Sequence, residues 1–72
     1  GGRVAPTPAV APSLRHGDCG GRWGNLVAPA GAFDVGDRFV FEGEPGLRAV
    51  TRVLAFPADP SSRLVHYEDA AR

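Results

Sequence analysis

Apolar and polar positions alternate most regularly in the second half of the chain. In DRFVFEG, Phe39 and Phe41 alternate with Arg38, Val40 and Glu42, the period of two that turns one face of a strand towards a core. RLVHYED repeats the pattern, with Val65 and Tyr67 on one face and Leu64, His66 and Glu68 on the other. Between them, LRAVTRVLAF also carries apolar residues at helical spacing, at Leu47, Val50 and Leu54. Its β-branched residues, the glycine before it and the proline after it favour a strand instead. That strand would line one face with Leu47, Ala49, Val53 and Ala55 and put Arg48 and Arg52 on the other.

Turn chemistry separates these segments. EGEPG places Pro45 and Gly46 at the second and third positions of a type II turn, where a fixed φ and then a positive φ are required. FPADPSS, residues 56–62, reads as turn from end to end. The first half is less regular. Residues 15–32 are dense in glycine and leave room for one short strand, Asn25 to Ala28. Residues 1–14 carry prolines at 6, 8 and 12 between small apolar residues, the pattern of an extended arm.

Short strands at this spacing predict an all-β fold: a small SH3-like or OB-like antiparallel barrel spanning residues 15–72, preceded by the Pro/Ala-rich arm. Composition narrows its working mode. A chain of 72 residues buries only about 60% of its unfolded surface, so such domains commonly lean on copies or partners. Eight basic residues, all arginine, balance eight acidic ones, which argues against a DNA-coating protein. No apolar run approaches the roughly 20 residues of a membrane span. A cytoplasmic or virion location is the expectation, and a single cysteine neither supports nor excludes secretion.

Most of the unusual residues sit in RHGDCGGRWG, residues 15–24, which holds the only Cys, the only Trp and one of two His. His16, three residues from Cys19 and close to Arg15 and Arg22, would suit an activated thiol. The surrounding glycines suit a tight loop better, with Cys19 and Trp23 packed inward. A metal would need about four ligands, and no paired ligand spacing supplies them. Neither catalytic residues nor a metal or cofactor is therefore expected. The binding candidates are Arg22 and Trp23, which could stack on a ring-shaped ligand, the cationic pair Arg48 and Arg52, and His66 with Tyr67.

GNLVAPAGAFDVGDR, within residues 24–43, resembles the entry into the first barrel strand of the plasmid-encoded type II dihydrofolate reductases. The resemblance implies an SH3-like subunit of a homo-oligomer, with His66 and Tyr67 of LVHYE in a central pore. That family uses a glutamine and a lysine to hold folate and NADPH, and this chain has neither. The reading that follows is a non-enzymatic binding and assembly module that grips a protein partner or a second copy through its arm. A phage virion decoration or joining subunit is the concrete type. The alternatives are a small homo-oligomeric enzyme with a site at its symmetry axis, and a nucleic-acid-binding barrel acting through its arginines and Trp23.

Overall fold

A computed structural model describes residues 7–19 and 22–70, without the side chains of Asp18 and Cys19. Six strands make up the fold: β1 (Ala9–Val10), β2 (Arg15–Cys19), β3 (Trp23–Pro29), β4 (Arg38–Phe41), β5 (Arg48–Phe56) and β6 (Asp59–Asp69). They form one sheet in the order β1-β4-β5-β6-β3-β2, antiparallel except where β1 runs parallel to β4. β1 and β2 are the two ends of this sheet, yet only Ala11–Leu14 separates them in the chain. That connection, a short 3-10 turn over Pro12–Leu14, spans at most about 18 Å. The sheet therefore curls into a half-barrel. This is the all-β, small-barrel architecture expected from the alternation, and no described helix is long and apolar enough to cross a membrane.

Phe39, Phe41, Val65 and Tyr67 all point into the curl, as the alternation requires. They meet Leu26, Ala28 and Val50 there, with Phe33 and Val53 packed against the cluster. The aromatic rings make an edge-to-face network: Phe39–Phe41 and Phe41–Tyr67 centroids are 5.3 Å apart, and Phe39–Tyr67 and Phe33–Phe39 are 5.6 Å apart. Each such pair adds about 0.5–1.5 kcal/mol beyond the area it buries.

The glycine-rich first half is more regular than its composition suggests. β2 and β3 form an antiparallel pair in which Arg15↔Leu26, Gly17↔Asn25 and Cys19↔Trp23 face each other, with a bulge at His16. A glycine-dense stretch can be strand when a neighbouring side chain needs the space that a Cβ would take. Gly24 is such a position: a Cβ there would meet the Gly17 carbonyl oxygen and lie 2.6 Å from the Tyr67 hydroxyl. The expected inward packing of Trp23 is wrong. In β3 the inward residues are Gly24, Leu26 and Ala28, so period two sends Trp23 outward, 49% exposed. Cys19's side chain lies outside the described residues.

The end of the arm lies on its own barrel: the Pro8 and Val10 carbonyls accept the Val40 and Glu42 N–H groups, and Val10 enters the core; residues 1–6 lie outside the described residues. Two further expectations change. The hydrogen-bonded turn after β4 runs from Phe41 to Glu44, with Gly43 at φ +75° in its third position. Gly46 has the expected positive φ, but its carbonyl is taken by the Arg48 side chain at 2.7 Å. Finally, 56–62 is not all turn. Phe56 pairs with Asp59 across Pro57 and Ala58 alone, and Ser62 pairs with Pro29 of β3, so β6 starts early because β3 offers it a ladder.

Asp59 anchors that hairpin, its carboxylate accepting the Ser61 hydroxyl at 2.6 Å and the Ser61 N–H at 3.2 Å. The Ser61 hydroxyl, then the Ser62 hydroxyl and the Ser61 N–H, hold this carboxyl below the usual aspartate range. A carboxyl lowered on folding adds stability above its unfolded value and loses it as pH falls through the folded value, here the acid range below about 4. Titration followed by NMR should therefore give Asp59 a lower midpoint than an ordinary exposed aspartate, returning upward in Ser61→Ala; an unchanged midpoint in that variant would contradict the hairpin geometry. Gly24→Ala should cost about 1–3 kcal/mol by overpacking and lower the melting temperature by roughly 5–20 °C for a domain of this size, read by circular dichroism.

Candidate binding face of the barrel

Strand register divides the candidate residues between the inside and the outside of the curl. Across the outer face, Arg38, Ala49, Glu68 and Trp23 occupy one row over β4, β5, β6 and β3. The next row is Arg52, His66 and Asn25, and the third is Leu54, Leu64 and Val27. Trp23, Arg52 and His66 thus share this face. Arg22 precedes Trp23, and its carbonyl accepts the Asp69 N–H at 2.8 Å. Arg22, Trp23, Glu68 and Asp69 line a recess of about 250 Å³.

Arg48 and Tyr67 lie inside instead. Tyr67 is 1% exposed and Arg48 6%. The expectation that Arg48 and Arg52 share a face fails because β5 bulges between Val50 and Arg52. Thr51 is the extra residue, and an extra residue reverses the facing of everything after it. Arg48 and Val50 point inward before the bulge, and Val53 packs on the core after it. Only the second half of the face assigned to Val53 was placed correctly by simple alternation.

Arg48 is occupied structurally. Its Nη1 donates to the Gly46 carbonyl at 2.7 Å, its Nε lies 3.6 Å from an Asp69 carboxylate oxygen and its Nη2 is 3.9 Å from Glu44. The guanidinium also sits 5.5 Å from the centre of the Phe41 ring. Arg15 approaches the same ring more closely, at 4.0 Å, and its Nη2 donates to Glu44 at 2.7 Å. Phe41 and Glu44 therefore join the start of β2 to the β4–β5 hairpin where the two ends of the sheet have no ladder between them. Cation–π contact and a charge-assisted hydrogen bond do there what backbone pairing does elsewhere.

The same contacts decide which charged groups are left unpaired among the described residues. Glu44 and Asp69 are drawn towards Arg15 and Arg48, Asp37 accepts the Asp34 N–H at 2.8 Å, and Asp59 holds its serines. Arg22, Arg38 and Arg52 make no ion pair or side-chain hydrogen bond among the described residues, and all three are exposed. Glu68 is the acid among them, with Glu42 at the rim beside β1. No group of three or more His, Cys, Asp or Glu placed to hold a metal occurs among the described residues; His16 is exposed in β2. No family model, curated protein or solved structure significantly matches the chain.

The outward position of Trp23 is partly legible in the sequence. Extending the strand Asn25–Ala28 back by two positions would have set Trp23 opposite in phase to Leu26. Leu54 and Leu64 stand outward as alternation within their own strands requires, and Val27 joins them through the β3–β6 ladder. Arg15→Leu should loosen the closure, costing about 1–2 kcal/mol from the lost charged hydrogen bond and ring contact. The expected readouts are a melting temperature lower by roughly 5–15 °C and faster amide exchange at Val40 and Glu42, whose acceptors are the Pro8 and Val10 carbonyls; unchanged exchange there would mean that the closure holds without Arg15.

Proposed function

We propose that the protein is a non-enzymatic binding and assembly module that engages its partners through the outer face of its small barrel. The observation that carries this reading is the contrast between the two faces. Inside, Leu26, Phe39, Phe41, Val50, Val65 and Tyr67 are each less than 2% exposed, leaving side chains against side chains. Outside, Trp23 is 49% exposed on a face that also carries Arg38 and Arg52, which make no ion pair among the described residues, and a half-buried apolar row. Trp and Arg are the residue types most enriched at sites that dominate binding energy. Val10, at the end of the arm, belongs to the core of its own barrel, so the outer face carries this proposal. A decoration or joining subunit of a larger assembly, of the virion type, fits such a module.

Substitutions on the outer face test it. Trp23→Ala and Leu64→Glu should leave the melting temperature within a few degrees, because changes away from core and caps cost about 0.5 kcal/mol or less. They should abolish partner binding, read by light scattering as native mass, alone and in cell lysate before and after nuclease digestion. Wild type above its 7.5 kDa monomer mass with both variants monomeric supports the reading. A wild type that stays monomeric throughout, or variants that bind as it does, overturns it.

A further inference from the structure

We infer that the outer face of the sheet is a platform for single-stranded nucleic acid, with a base stacked on Trp23 and the backbone held by Arg22, Arg38 and Arg52. The inference rests on the proposed use of this face for binding and names the chemistry of the partner. The first support is charge. The chain is neutral as a whole, with eight acidic and eight basic residues, but Glu44 and Asp69 are held in ion pairs with Arg15 and Arg48, which leaves Arg22, Arg38 and Arg52 exposed and without an ion pair among the described residues. Arginine without a carboxylate partner is suited to bidentate phosphate binding.

The second support is placement. Arg38 and Trp23 stand at opposite ends of one row that crosses β4, β5, β6 and β3, a span of about 14 Å at three strand spacings. Arg52 and His66 occupy the adjacent row. A strand laid across the sheet thus meets a cation, a second cation and then an aromatic face, the combination that binds single strands by stacking and backbone attraction. A duplex keeps its bases stacked inside and offers Trp23 nothing to stack on.

The recess beside Trp23 adds a polar edge. Its 250 Å³ is bounded by Arg22, Glu68 and Asp69 as well as the indole. Glu68 faces Trp23 directly across the β3–β6 ladder and makes no ion pair among the described residues. A carboxylate accepts hydrogen bonds from an exocyclic amino group such as cytosine N4, so Glu68 is placed to meet the edge of a base whose face lies on Trp23. The acid would repel phosphate at that point, which directs the backbone towards the arginines at either side.

The test uses a short oligodeoxycytidine, and Trp23, the only tryptophan in the chain, is its own reporter. The expected result is quenching of tryptophan fluorescence and a rise in anisotropy of a labelled oligomer. Trp23→Phe should bind nearly as wild type, whereas Trp23→Ala should bind roughly tenfold to a hundredfold more weakly, as loss of one stacked base requires. Three phosphate contacts on a single strand predict a slope of log affinity against log salt near −2, from about −0.7 per contact, and Arg52→Gln should reduce its magnitude. A duplex of the same length and the free nucleotide CMP should both bind far more weakly. The inference fails if no quenching or anisotropy change occurs at low salt, if Trp23→Ala binds as wild type, or if affinity is flat with salt. Equal binding of CMP would make the ligand a free nucleotide and overturn the single-strand assignment. A partner that survives nuclease digestion and is lost in Leu64→Glu, with no oligomer binding, would leave the binding module standing and refute this choice of partner.

Discussion

Closure of an open sheet around Phe41 is the constraint on which the rest of the structure depends. A sheet of six strands has two edges, and here four residues of chain force them close together. Among the described residues no ladder joins the edges. Arg15 and Arg48 approach the ring of Phe41 at 4.0 and 5.5 Å, and Glu44 lies against both guanidinium groups. One aromatic ring therefore belongs at once to the apolar core, through Phe39 and Tyr67, and to the charged seam that shuts it. In a domain of this size, where only a few kcal/mol separate folded from unfolded chain, a seam contributing one or two of them determines whether the edges stay together.

Occupying the inward arginine with closure changes what the outside can do. Each carboxylate consumed by Arg15 or Arg48 is one fewer to neutralise Arg22, Arg38 and Arg52. The separation of charge on the surface is thus a consequence of how the core is sealed. The Thr51 bulge completes it by moving Arg52 outward into the row of His66 while Arg48 remains inside. Without the bulge, both would face the same side, and either the core would hold a second charge or the seam would lose its only buried guanidinium.

Gly24 and Trp23 show a similar exchange between neighbours. The Tyr67 hydroxyl needs the space that a side chain at position 24 would fill, so β3 must present its glycine inward there. Alternation then compels the adjacent indole outward, although a lone tryptophan in a small barrel is ordinarily a core residue. Exposure of Trp23 is fixed by the packing of Tyr67, which lies more than forty positions further along the chain.

The strands of the second half, the inward rings of Phe39 and Phe41, the shared face of Val65 and Tyr67 and the all-β class are legible in the sequence alone, because alternation and turn residues act over a few neighbouring positions. The pairing of β2 with β3 is not legible there, since glycine in these strands answers to a side chain from β6. Nor does the sequence by itself place Arg48 inside and Trp23 outside. Those assignments turn on a bulge with no local signature and on contacts between strands far apart in the chain. Only the tertiary structure, by bringing the seam and the β3–β6 ladder into register, decided which candidate residues stand together on one face.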